Sequence, residues 1–273
     1  MRSGRQSRII LSDPVLTFLK SINKFLGRSP VFDSVHDVAV IDATQEWPRY
    51  SNRFNEILGE DIDKYKAMQH EFPEDPEVVI ISGSTSGIYE DKEWIDALVE
   101  KTREYIEKDI PVLGLCFGHQ VIAKATGAKV VQMEEYEIGY RPVKISDGDL
   151  FEGLDTVEYP FSTHQDKIVD MPDEMEAVAE TDVCIQGIQH SKKPVYGVQF
   201  HPELTPDVAE KAIRTKDIEK EEKERLLREV NEANFDRARR TLKIFNNFLK
   251  IAENHHSSAS VGDMTATSER VLK

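Results

Sequence analysis

Val112-Leu113-Gly114-Leu115-Cys116-Phe117-Gly118-His119-Gln120 is the stretch that decides how the rest of the chain is read. Ile110 to Leu115 has the short apolar character of a buried strand, and Phe117 to about Thr126 reads as a helix that Gly127 can end. Cys116 sits at the junction, with glycine two positions before and two after. A strand that turns abruptly into a helix strains its middle residue. Its neighbours must be small, or they would clash with the adjoining strand and helix. Such an elbow holds the sulfur out of the sheet at a helix N-terminus, where backbone N–H groups and the helix dipole favour thiolate over thiol. The Phe117 amide is the natural donor to an oxyanion formed there. A lone cysteine is most often a buried core residue, but the strand–Gly-x-Cys-x-Gly–helix setting favours a nucleophile.

Outward from the elbow, the pattern alternates. Asp37 to Asp42 and Glu77 to Ser82 are further apolar strands, residues 47–58 read as a helix stopping at Gly59, and Trp94, Ile95, Leu98, Val99, Thr102 and Ile106 share one helical face. Strands that are apolar throughout, separated by helices, indicate a parallel sheet covered on both sides. The short strands between residues 128 and 200 are expected to add antiparallel or edge strands to that sheet. Cys184 falls in one of them as a buried strand residue.

The flanks differ. Residues 1–34 form a basic amphipathic extension: six basic side chains stand against Asp13 alone in the first 31 residues, and Val15 to Leu26 carries apolar side chains at helical spacing. Organelle targeting, contact with a membrane surface, and packing on the main domain are all open readings. Residues 35–206 form the main domain. Residues 207–253 read as charged helices packing on it, with the most charged part largely solvated, and 254–273 as a disordered tail.

The composition narrows the function. The 273 residues carry a formal charge of −15, with 39% hydrophobic and 31% charged residues. No apolar run approaches the ~20 residues of a membrane helix, so no transmembrane segment is expected. An acidic chain without a basic stripe is a poor match for nucleic acid. Two cysteines exclude a disulfide scaffold. Ser82 to Gly87 lacks the Gly-Lys-Ser/Thr ending of a phosphate loop, and no metal site stands out, so no cofactor and no metal are expected. These features fit a cytoplasmic protein.

A thiolate nucleophile needs a base, and Val195-Tyr196-Gly197-Val198-Gln199-Phe200-His201-Pro202-Glu203 offers one. The strand delivers His201 to its end. In extended chain Glu203 projects to the same side and can orient the imidazole. His164 and His119 are other candidate bases, though His119 is expected to point away from the site.

The two stretches together resemble the class I (triad) glutamine amidotransferases, nearest to the glutaminase domain of GMP synthases, over residues 37–206. The resemblance implies a flavodoxin-like α/β fold, a mostly parallel central sheet flanked by helices, here with extra N- and C-terminal helices. It implies glutamine as substrate, attacked by Cys116, with His201 moving protons and Glu203 holding His201. Gly83 matches an oxyanion-loop glycine acting with Phe117, although Ser84 stands where the family usually has a second glycine. Gln120 contacts the amino-acid end of the substrate. Thr163, His164 and Asp166 match the family's Ser/Thr-His-x-Asp loop that helps hold glutamine. The chain holds no segment of the size of an ATP-activating synthase domain. A separate synthase partner that accepts the ammonia is one expectation. A stand-alone hydrolase of γ-glutamyl amides or peptides is another, and a non-catalytic scaffold on this fold a third.

Overall fold

The structure, a computed structural model, describes residues 37–44, 48–59, 62–146 and 148–271. The expected N-terminal helix lies outside the described residues. The strands β1 (Val38–Asp42), β2 (Asp63–Lys66), β3 (Val78–Ile81), β4 (Val112–Leu115) and β11 (Val195–Val198) lie parallel. The sheet continues antiparallel through β10 (Ile185–His190), β9 (Met175–Glu180), β6 (Val143–Ile145) and β7 (Val157–Glu158). Its order is β2-β1-β3-β4-β11-β10-β9-β6-β7.

Side chains alternate across a strand, so strands that are apolar throughout feed two cores. Val38, Val40, Leu113 and Leu115 face one core, closed by Phe54 and Ile57 of α1 (Pro48–Leu58) and by Phe245, Phe248 and Leu249 of α7 (Lys243–Val271). Ile41, Val79, Ile81 and Val112 face the other, closed by Trp94 and Leu98 of α2 (Glu93–Glu107) and by Val121 and Ile122 of α3 (Phe117–Ala125). Full burial of one such side chain is worth about 1.5–3 kcal/mol. The chain is thus an α/β protein with a mostly parallel central sheet flanked by helices.

Three expectations are corrected. Strands β5 (Lys129–Tyr140) and β8 (Phe161–Val169) do not join the main sheet. They form a separate antiparallel ribbon whose register shifts between Gln132 and Glu137. Much of β5 is half-buried or exposed, and its apolar residues divide between Val130, against the core of the main sheet, and Tyr136, Ile138 and Tyr140, against the helices after residue 206. The charged stretch after residue 206 is not simply solvated. Ala209 and Ile213 of α4 (Pro206–Thr215) and Leu226 of α5 (Lys220–Glu229) pack on Ile138 and Phe161 of the ribbon. After α6 (Glu232–Ala238), α7 runs on through Val271, where the sequence suggests a disordered tail. Apolar periodicity reports burial rather than helicity. From Glu253 to Ser258 the side chains are half-buried or exposed, and the helix continues there without an apolar face.

No helix among the described residues is long and apolar enough to cross a membrane.

Candidate active site

The loops that follow β1, β3, β4 and β11 meet at the C-terminal edge of the parallel strands, where open α/β sheets bind ligands. Between them and the ribbon lies a cavity of about 320 Å³. Gly83, Cys116, Phe117, Gln120, Thr163, His164, Asp166 and His201 all line it. Glu203, the remaining residue singled out in the sequence, lies behind His201 and is fully buried.

Cys116 occupies φ 50°, ψ −100°, a conformation costly for a residue with a side chain. The surroundings impose it. A Cβ at Gly114 would lie 2.3 Å from the Gly118 carbonyl, and one at Gly118 would lie 2.3 Å from the carbonyl oxygen of Ile81. Strand and helix approach too closely for any side chain at either position. The Cys116 amide donates to the Val198 carbonyl at 2.8 Å, tying the elbow to β11, and the sulfur accepts from Gln199 Nε2 at 3.4 Å.

His201 Nδ1 lies 2.7 Å from Glu203 Oε1. The path between them differs from the expected one. β11 ends at Val198, His201 forms an isolated bridge to Phe161, and Pro202 and Glu203 make a turn rather than extended chain. The proline, with its fixed φ and no N–H to extend a ladder, turns the carboxylate under the ring. Arg53 Nε donates to the Glu203 carbonyl at 2.9 Å and pins that turn. Burial pushes the His201 pKa down, but the Cys116 sulfur and the Glu203 carboxylate outweigh it and hold the ring up to about 10. At neutral pH the imidazole is a cation poised between sulfur and carboxylate.

His119 does not reach the cavity. It is fully buried beside Gly197, and burial pushes its pKa down to about 3, leaving it neutral. His164 is tied differently. Its Nε2 lies 3.1 Å from Glu137 Oε2 and its Nδ1 3.0 Å from the Asp166 carbonyl. Glu137 also accepts from Gln186 Nε2 at 2.7 Å and from the Cys184 thiol at 3.4 Å. Burial would raise the Glu137 carboxyl, but the hydrogen bond and charge of His164 hold it below its ordinary value. Burial and Glu137 push the Cys184 thiol up to about 12. Cys184 itself is half-buried, at a bend just before β10 rather than within a strand. The donor atoms of Glu137, His164 and Cys184 lie within 4.8 Å of one another, the one grouping among the described residues with metal-ligand spacing. Each is engaged with another member or with Gln186, so the group is a hydrogen-bonded network bracing β5, β8 and β10.

Three buried polar atoms of cavity-lining residues have no hydrogen-bond partner among the described residues: Gln120 Oε1, Thr163 Oγ1 and Asp166 Oδ1. Buried polar atoms are nearly always paired, so their residues give the wall of the cavity an unusually polar character. Gln120 Nε2 is itself held by Gln199 Oε1 at 3.2 Å. Sequence reasoning did not single out Arg53, Glu137, Gln186, Gln199 or Lys216. Gln199 alone carried a signal, lying inside the stretch that ends in His201.

A strand–elbow–helix cysteine beside a histidine–carboxylate pair, at the edge of a parallel sheet, defines a class of thiol enzymes on an α/β scaffold. The model of one family, "Glutamine amidotransferase class-I", matches residues 42–220, and the chain belongs to that enzyme family. The chain is 34% identical to a glutamine-hydrolysing GMP synthase subunit of Methanothermobacter thermautotrophicus over 158 residues, 56% of this chain and 78% of that protein. It is 36% identical to the glutamine-hydrolysing GMP synthase of Vibrio campbellii over 133 residues, 48% of this chain but only 25% of that longer protein. A glutamine amidotransferase from Thermotoga maritima shares the fold, with a TM-score of 0.65 and 23% identity, over 80% of this chain and 98% of the other.

Proposed function

We propose that the chain hydrolyses the side-chain amide of glutamine through a thioester on Cys116, releasing ammonia for a synthase partner of the GMP synthase kind. The observation that carries this reading is the strained Cys116 beside a His201 that is itself held by Glu203 at 2.7 Å. The sulfur attacks the amide carbon. The backbone N–H groups of Phe117 and Gly83 receive the negative charge that develops on the carbonyl oxygen. His201, already protonated, gives its proton to the departing nitrogen and ammonia leaves. The now neutral ring accepts a proton from water as that water attacks the thioester, and glutamate departs. Glu203 keeps Nδ1 engaged throughout, so that Nε2 does the transfer. Gln120, Thr163 and Asp166, which line the cavity, hold the amino-acid end.

The test is ammonia release from glutamine by the full chain, alone and mixed with the ammonia-accepting component of a GMP synthase. Cys116→Ala is expected to abolish release, by at least about 10⁴-fold, with the thermal midpoint nearly unchanged. His201→Ala is expected to cost about 10²–10⁴-fold, the range of general acid–base catalysis, and Glu203→Gln less, because it only orients the ring. Residual release by Cys116→Ala, or no release under either condition, overturns the reading. Preferential turnover of γ-glutamyl peptides over glutamine would replace it with a stand-alone γ-glutamyl hydrolase.

A further inference from the structure

Lys216 follows directly on α4, far in sequence from both motifs, yet it lines the same cavity as Cys116 and His201. It is half-buried, and its Nζ lies 4.6 Å from the centroid of the Tyr136 ring, which also lines the cavity. Among the described residues no carboxylate comes within ion-pair distance of that Nζ, and no carbonyl accepts from it. An ammonium stripped of part of its water keeps three donors that must go somewhere. An aromatic face stabilises the charge but takes none of those hydrogen bonds. The other charged side chains lining the cavity, besides the His201 and the Glu137-paired His164 already described, are Glu90 and Asp166. Glu90 is paired with Lys92 at 2.5 Å. Burial pushes the Lys216 pKa down, while Cys116 and Asp166 draw it back up, so the cation is felt at the sulfur itself.

We propose that Lys216 forms a carboxylate subsite of the cavity and receives the α-carboxylate of the substrate. This rests on the glutamine-hydrolysing reading and deepens it. Glutamine carries an ammonium and a carboxylate at the end remote from the reacting amide. Asp166 offers the cavity an acid for the first, and Lys216 is the ammonium available for the second. Such a contact acts equally in the ground and transition states, so it governs KM more than kcat. Because Lys216 belongs to the helical cap rather than to the elbow, the cap becomes part of the specificity of the site.

The test compares Lys216→Gln and Lys216→Arg with the unaltered full chain, in two readouts. In the first, Cys116 is labelled either by the diazo-ketone analogue of glutamine, which carries the α-carboxylate, or by neutral iodoacetamide. Lys216→Gln is expected to slow the first reagent by about tenfold to a hundredfold, the range of a charge-assisted hydrogen bond. It leaves the second within about twofold, and Lys216→Arg recovers most of the loss. In the second readout, glutamine is compared with its α-carboxamide. The unaltered chain prefers glutamine, and Lys216→Gln erases the preference through KM.

An unchanged diazo-ketone rate in Lys216→Gln overturns the proposal. So does a parallel loss with both reagents, which would mean that Lys216 acts on the sulfur or on folding. Lys216-dependent labelling without glutamine turnover keeps the subsite and sinks the glutaminase reading instead. A Lys216 effect confined to γ-glutamylglycine, measured against its C-terminal amide, keeps a carboxylate subsite and moves it to the leaving-group side.

Discussion

The wall of the cavity that carries Cys116 and the wall that carries Lys216 are held by different physics. The first is backbone against backbone. Gly114 meets Gly118, Gly118 meets Ile81, and the strands around them are apolar on both faces. The second is a polar ribbon with a shifted register, braced by the buried Glu137–His164–Gln186 network and covered by short helices that bury little beyond Ala209, Ile213 and Leu226. Close-packed backbone has no way to give, so the main chain at Cys116 is fixed by packing, and the Gln199 contact to its sulfur is added to a position already set. The ribbon is adjustable, and its position depends on polar groups finding one another. On the proposed reading, the chemistry falls to the rigid wall, and recognition of the substrate is shared between Gln120 of that wall and the adjustable one.

That contrast can be broken first at Gly114. Gly114→Ala places a methyl group 2.3 Å from backbone atoms that no rotamer change can move. It is expected to cost more than about 4 kcal/mol, read as a lost or strongly shifted urea transition. A wild-type transition in this variant would mean that the elbow is looser than its geometry.

The second wall fails more softly and with a pH signature. Glu137→Ala leaves His164 and Gln186 without their acceptor and is expected to cost about 3 kcal/mol near neutral pH. The Glu137 carboxyl is held below its ordinary 4.5 in the folded protein. Its contribution is therefore present above about pH 4.5 and disappears as the pH falls through the folded value. Urea midpoints of the two proteins should converge in acid. A gap independent of pH would assign the loss to packing alone.

The smallest effect sharpens the comparison at the nucleophile. At φ 50°, ψ −100° a side chain is strained and glycine is not. Cys116→Gly is therefore expected to be more stable than Cys116→Ala by about 1 kcal/mol, although both are inactive. Equal midpoints would show that the elbow stores no strain at residue 116.

The same division separates what could be read from the sequence. Gly114, Cys116 and Gly118 are close neighbours, so one local rule describes their geometry. The wholly apolar strands around them signal burial on both faces. The ribbon escaped because β5 is polar along most of its length and gives neither a clean period nor a clean partner. The turn under His201 escaped as well. An extended chain and a Pro202 turn bring Glu203 to the same ring, and only coordinates tell them apart. The helical turn just beyond Asn254 was invisible because its side chains to Ser258 are mostly exposed, and helicity without burial leaves no apolar pattern.

The sequence by itself determined the α/β alternation, the elbow and the identity of the residues around it, because each depends on neighbours within a few positions. The tertiary structure alone decided that Arg53 pins the carbonyl of Glu203, 150 residues away, that Gln199 reaches the Cys116 sulfur, and that Lys216 shares its cavity. Such meetings depend on how the sheet twists and how the cap folds back. No local pattern of residue types records the closing of loops that long.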